Sequence, residues 1–498
     1  MKLSHRKSLI IPFVVMCCYF TAAWYNLGYF HPDEHYQLIE FAGLKLGWNA
    51  AEDLAWEYGE LIRPTLQVWL CVVWFKLMGV FGLHDPYVLA FSLRLLSAGL
   101  ALMSIRFFIS NSRHLFKPSF RVPYELLSYF LWFVPLVSVR FSSETWSGLS
   151  FLIALGWVMR PGLLDDRKYY WIGFLLALSF LFRFQAGLLI VPLLLWMIAV
   201  KRDHWRSIFT IVIVMTLTIQ GGMLLDAGFY GTYTLTFWNY FRVNILQDAA
   251  SNFGVSPWTE VLTYLWEYPL WPVGTVIVLA MVVLLIRKPT SVFLWCLIPF
   301  IAVHAWIPHK EVRFLFPVVY LVPAIIMLAI QEVGGWWAQG CKTKLFFNLA
   351  LVPFVLSNLF MLVMVLFRPA GRGQKHLTQF IVESYTDRPI QLFHTRFGNP
   401  FQPWSGLSER FYETDSINYR AVKLPSDLNG LHLSQDTVYL LACRKNEETE
   451  FLHELSQRGM WSVSLEARSI PRWIDQWSNW YAGANDWTYG RLYLLKNK

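Results

Sequence analysis

Residues 8–35 read SLIIPFVVMCCYFTAAWYNLGYFHPDEH. Up to Tyr29 this is one apolar run, longer than the roughly 18 residues that cross a bilayer, and it closes on His31-Pro32-Asp33-Glu34-His35. Lys2, Arg6 and Lys7 precede the run, and a positive flank stays in the cytoplasm. A cleaved signal peptide, with Thr21 and Ala23 as a small-residue site, is the alternative; the length of the run and the many spans after it favour an uncleaved anchor. His31 onward then lies on the far side, in a periplasm or an organelle lumen. Ionisable groups are costly at a membrane, so two adjacent carboxylates at its edge point to a reaction there.

The composition extends this reading to most of the chain. Of 498 residues 56% are hydrophobic and only 15% charged, which excludes a set of ordinary soluble domains and indicates a polytopic membrane protein. Continuous apolar runs, rather than alternation, specify helices and not a barrel. The net charge of +9 comes from Lys and Arg scattered through short loops, a topology signal and not a nucleic-acid footprint. Cys17, Cys18, Cys71 and Cys296 sit in apolar segments and Cys341 in a basic loop, so with Cys443 alone in a polar region no disulfide framework is expected.

Apolar segments fall at 8–29, 65–82, 87–109, 124–139, 145–159, 170–182, 186–200, 208–225, 269–286, 292–306, 314–330 and 345–367. Basic loops at 113–121, 160–168, 201–206, 287–288 and 342–344 are separated by even numbers of segments, so all can be cytoplasmic. With the N-terminus also inside, one segment too many precedes 113–121. Segment 65–82 is therefore expected to lie as a juxtamembrane or re-entrant helix buried against protein. The expected fold is an all-α polytopic membrane domain, residues 1–368, of about 11 to 12 helices. Its external side receives 29–63, 140–144, 183–185, 226–268, 308–313 and everything after Arg368.

Beyond Pro369 the hydrophobicity drops, with Gly371-Arg372-Gly373 marking a break. After a polar, loop-rich stretch the pattern predicts strand 437–442, helix 447–458, strand 461–465, helix 471–480 and strand 491–495. Residues 369–498 thus read as a small external α/β domain.

Chemistry-bearing residues gather in the external loops. In a glycosyl transfer with inversion, one carboxylate takes the proton of the attacking hydroxyl and a second orients it, roles that Asp33 and Glu34 can fill. Solvated loop charges, a helix cap at Asp33, or a divalent metal held by His31, Asp33 and His35 are the other readings of the same run. Glu144, after Arg140, Ser142 and Ser143, is a further external acid or a helix cap. The turn Pro308-His309-Lys310-Glu311-Val312-Arg313 places His309, Lys310 and Arg313 outside, against the positive-inside bias, as suits a phosphate. Arg63 and Arg183 are external too, as phosphate ligands or as helix-edge arginines. In loop 226–268, Asn252 and Trp258 belong to a mixture of amides and aromatics that fits a sugar acceptor or an interfacial helix.

Taken together, Pro32-Asp33-Glu34, Trp56-Glu57, Ile62-Arg63-Pro64 and His309-Lys310-Glu311-Val312-Arg313-Phe314 resemble glycosyltransferase family 22 over roughly 7–368. Asn252-Phe253-Gly254 with Pro257-Trp258 resembles a further loop of that family, and the likeness is strongest to its glycosylphosphatidylinositol branch. The resemblance implies a GT-C fold and transfer of a sugar, typically mannose, from a polyprenyl phosphate such as dolichyl phosphate to a glycolipid or glycan, with inversion. It implies no nucleotide sugar and no obligatory metal. Asp33 and Glu34 fall on the acidic motif, with Glu144 similar to a second external acid; His309, Lys310 and Arg313 fall on the late signature. The tail departs from the eukaryotic pattern, and no Asn-x-Ser/Thr acceptor occurs in an external loop. Both departures lean towards a bacterial inner-membrane homologue with a periplasmic site and an undecaprenyl- or decaprenyl-phosphate donor; the alternative is the endoplasmic reticulum with a lumenal site. The rival reading by class is a transporter or flippase of a lipid-linked glycan, which would place its charges at midplane breaks rather than in loops.

Overall fold

A computed structural model gives the fold and describes residues 2–161, 166–337, 341–385, 387–396, 398–402, 407, 409–428, 434–457, 461–482 and 489–497. The chain divides into two compact units: Met1–Phe20, Trp56–Leu70 and Arg94–Val363 form the first, and Thr21–Ala55, Cys71–Leu93 and Met364–Lys498 the second.

The first unit is helical. Among the described residues three helices, Pro86–Leu115, Trp205–Tyr230 and Val312–Gly334, are long and apolar enough to cross a membrane. A bent pair, Glu260–Trp266 with Trp271–Arg287 at 109°, reaches that length together. Several apolar runs of the sequence form shorter helices, among them Leu66–Val80 from the run 65–82. Local chemistry sets these boundaries. Asp85 starts Pro86–Ser112 by accepting from the Val88 amide at 2.8 Å, with Pro86 at the first helical position. Gly231, at φ 75°, ends Trp205–Tyr230 in the left-handed region.

The run 124–139 breaks between helices Pro118–Phe130 and Phe133–Ser138. There buried Asn358 accepts from the Trp132 amide and donates to the Phe130 carbonyl, each at 2.9 Å. One side chain thus satisfies the backbone that the break exposes.

Ser142 caps helix Ser143–Met159 by accepting from the Thr145 amide at 3.2 Å, which fixes Glu144 in the first turn. The helix packs against Arg167–Phe182 through reciprocal bonds, Ser147 and Ser179 each donating to the other's carbonyl at 2.9 Å. Against the 3₁₀ stretch Val312–Leu321 it presents Gly148, where a Cβ would stand 2.6 Å from the Pro317 carbonyl oxygen. Only glycine permits that approach, and it draws Glu144 and Arg313 to the same place.

The second unit holds a five-stranded sheet in the order β2-β1-β3-β5-β4, with β1 Ile390–His394, β2 Ile417–Ala421, β3 Val438–Arg444, β4 Trp461–Arg468 and β5 Gly490–Asn497. β1 runs parallel to β2 and β3, while β5 is antiparallel to β3 and β4. Alternation along β3 sends Leu440 and Ala442 to one core, with Leu377 and Ile381 of helix Gln374–Tyr385. Leu441 and Cys443 go to the other, with Phe451 and Leu455 of helix Lys445–Gln457. The three strands and two helices predicted after 437 are present with ends moved by a few residues, as β3, β4, β5, Lys445–Gln457 and Arg472–Ala482. The stretch read as loop-rich instead contains Gln374–Tyr385, β1 and β2. β2 is an edge strand with mostly exposed side chains, so its sequence, INYRA, carries no buried alternation to read.

Candidate active site

In the first unit the late signature builds an ion-pair network. Val312–Leu321 begins directly after Glu311 and turns Arg313 inward, where it is buried. Arg313 Nη1 donates to Glu144 Oε1 at 2.9 Å, and Arg183 Nη1 reaches the same oxygen at 2.8 Å. Glu144 is 2% exposed, so its carboxylate is committed to two guanidiniums in a low-dielectric setting. Both guanidiniums lie 5.4 Å from the Phe314 ring centroid. Arg313 Nε also donates to Glu311, whose other oxygen lies 2.8 Å from His309 Nε2. The Glu311 carboxylate beside His309 raises its pKa above the ordinary value, against the opposing effect of burial, and the Gly254 carbonyl at 3.0 Å from Nδ1 acts in the same direction as Glu311.

Lys310 turns the other way. Its ammonium donates to the carbonyls of Ser256 at 2.8 Å, Ile307 at 2.6 Å and Pro308 at 3.4 Å, and burial lowers its pKa. With the Ser256 amide donating to the Pro308 carbonyl at 3.0 Å, this lysine clasps loop 254–256 onto the signature turn. Asn252 and Trp258 flank the seam and are exposed, Trp258 by 64%.

Arg63 pairs with Glu57 at 3.2 Å and lies 5.9 Å from the Tyr240 ring centroid, while Gln185 donates to the Tyr240 hydroxyl. Tyr240 thus bridges Arg63 to the turn that carries Arg183. The backbone around Arg63 is pinned by the end of helix Trp205–Tyr230: Tyr230 donates to the Arg63 carbonyl at 2.9 Å. Asp226 accepts from the Thr65 amide and hydroxyl at 2.7 Å each and from Thr236 at 2.7 Å.

In the second unit the acidic turn forms a short helix, Asp33–His35, running into a π-helical turn, Tyr36–Glu40, a distortion common at functional sites. The neighbouring acids face different surroundings. Glu34 is buried and accepts from the Phe30 amide at 3.2 Å; Asp33 is more open and lies 3.3 Å from His31 Nδ1. His35 is 1% exposed, its Nε2 2.6 Å from Glu40, and burial lowers its pKa. Among the described residues no three His, Cys, Asp or Glu side chains come together as a metal set, so His31, Asp33 and His35 do not converge.

The structure therefore joins Glu144, Arg183, His309 and Arg313, with Arg63 linked through Tyr240. Tyr240, Gln185 and Asp226 complete the surroundings without having been given a role from the sequence, as do Glu311 and Phe314 of the late signature. Glu311 stood inside the signature, but an acid between cations gives no sign of which neighbours it bridges.

Residues 9–381 match the Alg9-like mannosyltransferase family. Among relatives, the chain is similar to GPI alpha-1,2-mannosyltransferase 3 of Danio rerio, 25% identical over 64% of this chain and 59% of that protein. GPI mannosyltransferase 3 of Yarrowia lipolytica is 26% identical over 67% of this chain and 63% of that one. The chain thus spans less than two thirds of the length of these curated relatives. Among solved structures its fold is similar to that of ArnT from Cupriavidus metallidurans, crystallised with undecaprenyl phosphate, at a TM-score of 0.57 and 12% identity over 98% of this chain and 97% of that one. With three quarters of its length inside the family match, the chain belongs to the Alg9-like mannosyltransferase family.

Proposed function

We propose that this protein transfers a mannosyl residue from a polyprenyl-phosphate donor to a hydroxyl of a glycolipid acceptor, with inversion at the anomeric carbon. The observation that carries the reading is the pair Arg183–Arg313, two buried guanidiniums held side by side by Glu144. Such a pair is preorganised for a phosphate oxygen, which develops charge as the sugar leaves. Family membership supplies the sugar, and undecaprenyl phosphate in the ArnT crystal supports a lipid-phosphate donor class.

In the proposed reaction an acceptor oxygen attacks the anomeric carbon, the bond from that carbon to the phosphate oxygen breaks, and the phosphate leaves on its lipid. The hydroxyl proton passes to a carboxylate of the acidic turn, and Asp33, more open than the buried Glu34, is the better placed base. Glu144 orients the two arginines and takes no proton. Lys310 acts through the loop it clasps, and Arg63 assists at the donor. Two guanidiniums and His309 supply the charge that a metal would otherwise bring, so transfer is expected to proceed in EDTA. The acidic and cationic turns are assigned to the external face, lumenal or periplasmic, as the loop charges indicate.

The test is incubation of the purified protein with polyprenyl-phosphate mannose and a mannosylated glycolipid, following release of polyprenyl phosphate and extension of the acceptor. Turnover that Asp33→Asn abolishes is the expected result. A folded protein that cleaves no polyprenyl-phosphate hexose would overturn the proposal.

A further inference from the structure

The second unit contains a buried polar cluster with no part in the chemistry above. Glu409, in the tail and 0% exposed, accepts from the Tyr29 hydroxyl at 2.6 Å and from the Tyr36 hydroxyl at 3.4 Å. Those two tyrosines bracket the acidic turn, one on each side of residues 30–35. Lys375, 2% exposed, pairs with the same carboxylate and donates to the Pro400 carbonyl at 3.1 Å.

Further contacts repeat the pattern. The His35 ring stacks between Tyr29, at 5.5 Å and 25°, and Tyr412, at 5.4 Å and 18°. Glu40, which engages His35, also accepts from the Phe411 amide at 3.2 Å. On the near side, Asn26 donates to the Val365 carbonyl at 2.9 Å and the Ala370 amide donates to the Leu27 carbonyl at 3.0 Å. Glu409, Phe411 and Tyr412 lie beyond residue 381, outside the family match.

We infer that Glu409, braced by Lys375, is a positioning residue for the acidic turn, and that residues 409–412 of the tail belong to the working apparatus rather than to an independent appendage. The inference rests on the proposed role of Asp33 and Glu34. Burying an ion pair contributes little net stability compared with an apolar pair of the same shape. What a fully engaged carboxylate does contribute is direction: with both ends of a short turn bonded to one group, the turn loses its freedom to rotate. A general base needs that restriction, because a displacement of about 1 Å costs about 100-fold in rate.

The experiment uses the full chain in detergent, with wild type, Glu409→Gln, the neutral double variant Lys375→Met/Glu409→Gln, and Tyr29→Phe. Two quantities are read: backbone hydrogen exchange of residues 30–36, and kcat and KM for the donor. The double variant guards against mere misfolding, since it removes both charges of the Lys375–Glu409 pair together. The expected result is exchange faster by about tenfold and kcat lower by about tenfold in it and in Tyr29→Phe, with donor KM unchanged. Unchanged exchange overturns the inference. Faster exchange with wild-type kcat also overturns it, provided Asp33→Asn is inactive. If Asp33→Asn transfers sugar normally, the proposed function of the turn fails instead, and the exchange measurement still decides whether Glu409 holds it.

Discussion

Arg313 and Glu144, 169 residues apart in sequence, meet at 2.9 Å with both side chains buried. Arg183 shares the acceptor oxygen, so removal of this carboxylate leaves two guanidiniums facing each other away from water. Glu144→Gln is expected to destabilise the protein by about 3–5 kcal/mol, the cost of breaking a buried pair from one side. Thermal unfolding of the detergent-solubilised protein checks this. A loss below about 1 kcal/mol would place the network at the solvent-exposed end of the scale.

Arg313 faces Glu144 through one nitrogen and Glu311 through another. A lysine carries a single point charge and cannot span both. Arg313→Lys should therefore fold, retain net charge, and lose at least about tenfold in kcat/KM for the donor, with the loss divided between kcat and KM according to when the phosphate contact forms. Wild-type kinetics in this variant would exclude Arg313 from donor binding.

His309 carries a pH signature. Its folded-state pKa lies above the ordinary value, chiefly through Glu311, so its pairing stabilises the fold fully below the unfolded value of about 6.5 and is lost as pH rises through the elevated one. In Glu311→Gln the first cause disappears. The expected outcome is a wild-type melting temperature that falls as pH rises above about 6.5, and a smaller fall in the variant. Equal slopes would show that His309 does not titrate with Glu311.

The parts of this molecule that were legible in the sequence share a cause. Apolar runs, basic loops and the His309-to-Arg313 signature are local patterns, and a linear reading finds them. The pairing of Glu144 with Arg313 depends instead on a glycine at 148 that lets two helical stretches approach, and Gly148 looks like any other glycine in an apolar run. Asn358, which mends the break after Phe130, is likewise an ordinary polar residue until the fold brings it there. The tail shows the same limit: β3 alternates and was found, whereas β2 is exposed and Glu409 contacts residues some 370 positions earlier. Lys310 is a different case. The sequence reads it as a cation in an external turn that suits a phosphate, whereas its ammonium satisfies backbone carbonyls, a use that no charge pattern announces.

Asp226 tests whether Arg63 needs its mount. The carboxylate accepts from the Thr65 amide, the Thr65 hydroxyl and the Thr236 hydroxyl, and Thr65 is two residues from Arg63. Asp226→Ala leaves the Thr65 amide without its acceptor and should cost about 1–3 kcal/mol, with a raised donor KM. Asp226→Asn keeps one carbonyl oxygen and should recover most of the stability. Identical behaviour of the two variants would remove hydrogen bonding as the cause.

Gly371 and Gly47 both adopt positive φ, at 55° and 93°, and their surroundings differ. A Cβ at Gly47 meets nothing within 4 Å, whereas at Gly371 it would stand 2.6 Å from the Tyr29 carbonyl oxygen. Gly47→Ala therefore carries only the backbone cost of the left-handed region, about 1–2 kcal/mol. Gly371→Ala adds a clash with backbone, which cannot move aside as a flexible side chain would. Relief requires residues 27–29 to part from 370–373 and so to give up the bond from the Ala370 amide to the Leu27 carbonyl. The alanine at 371 should cost more than the one at 47 by about 1–3 kcal/mol, and it alone should speed hydrogen exchange in residues 27–36. Thermal melts and exchange on the two variants check this, and equal effects at both positions would mean that the junction before the acidic turn yields freely.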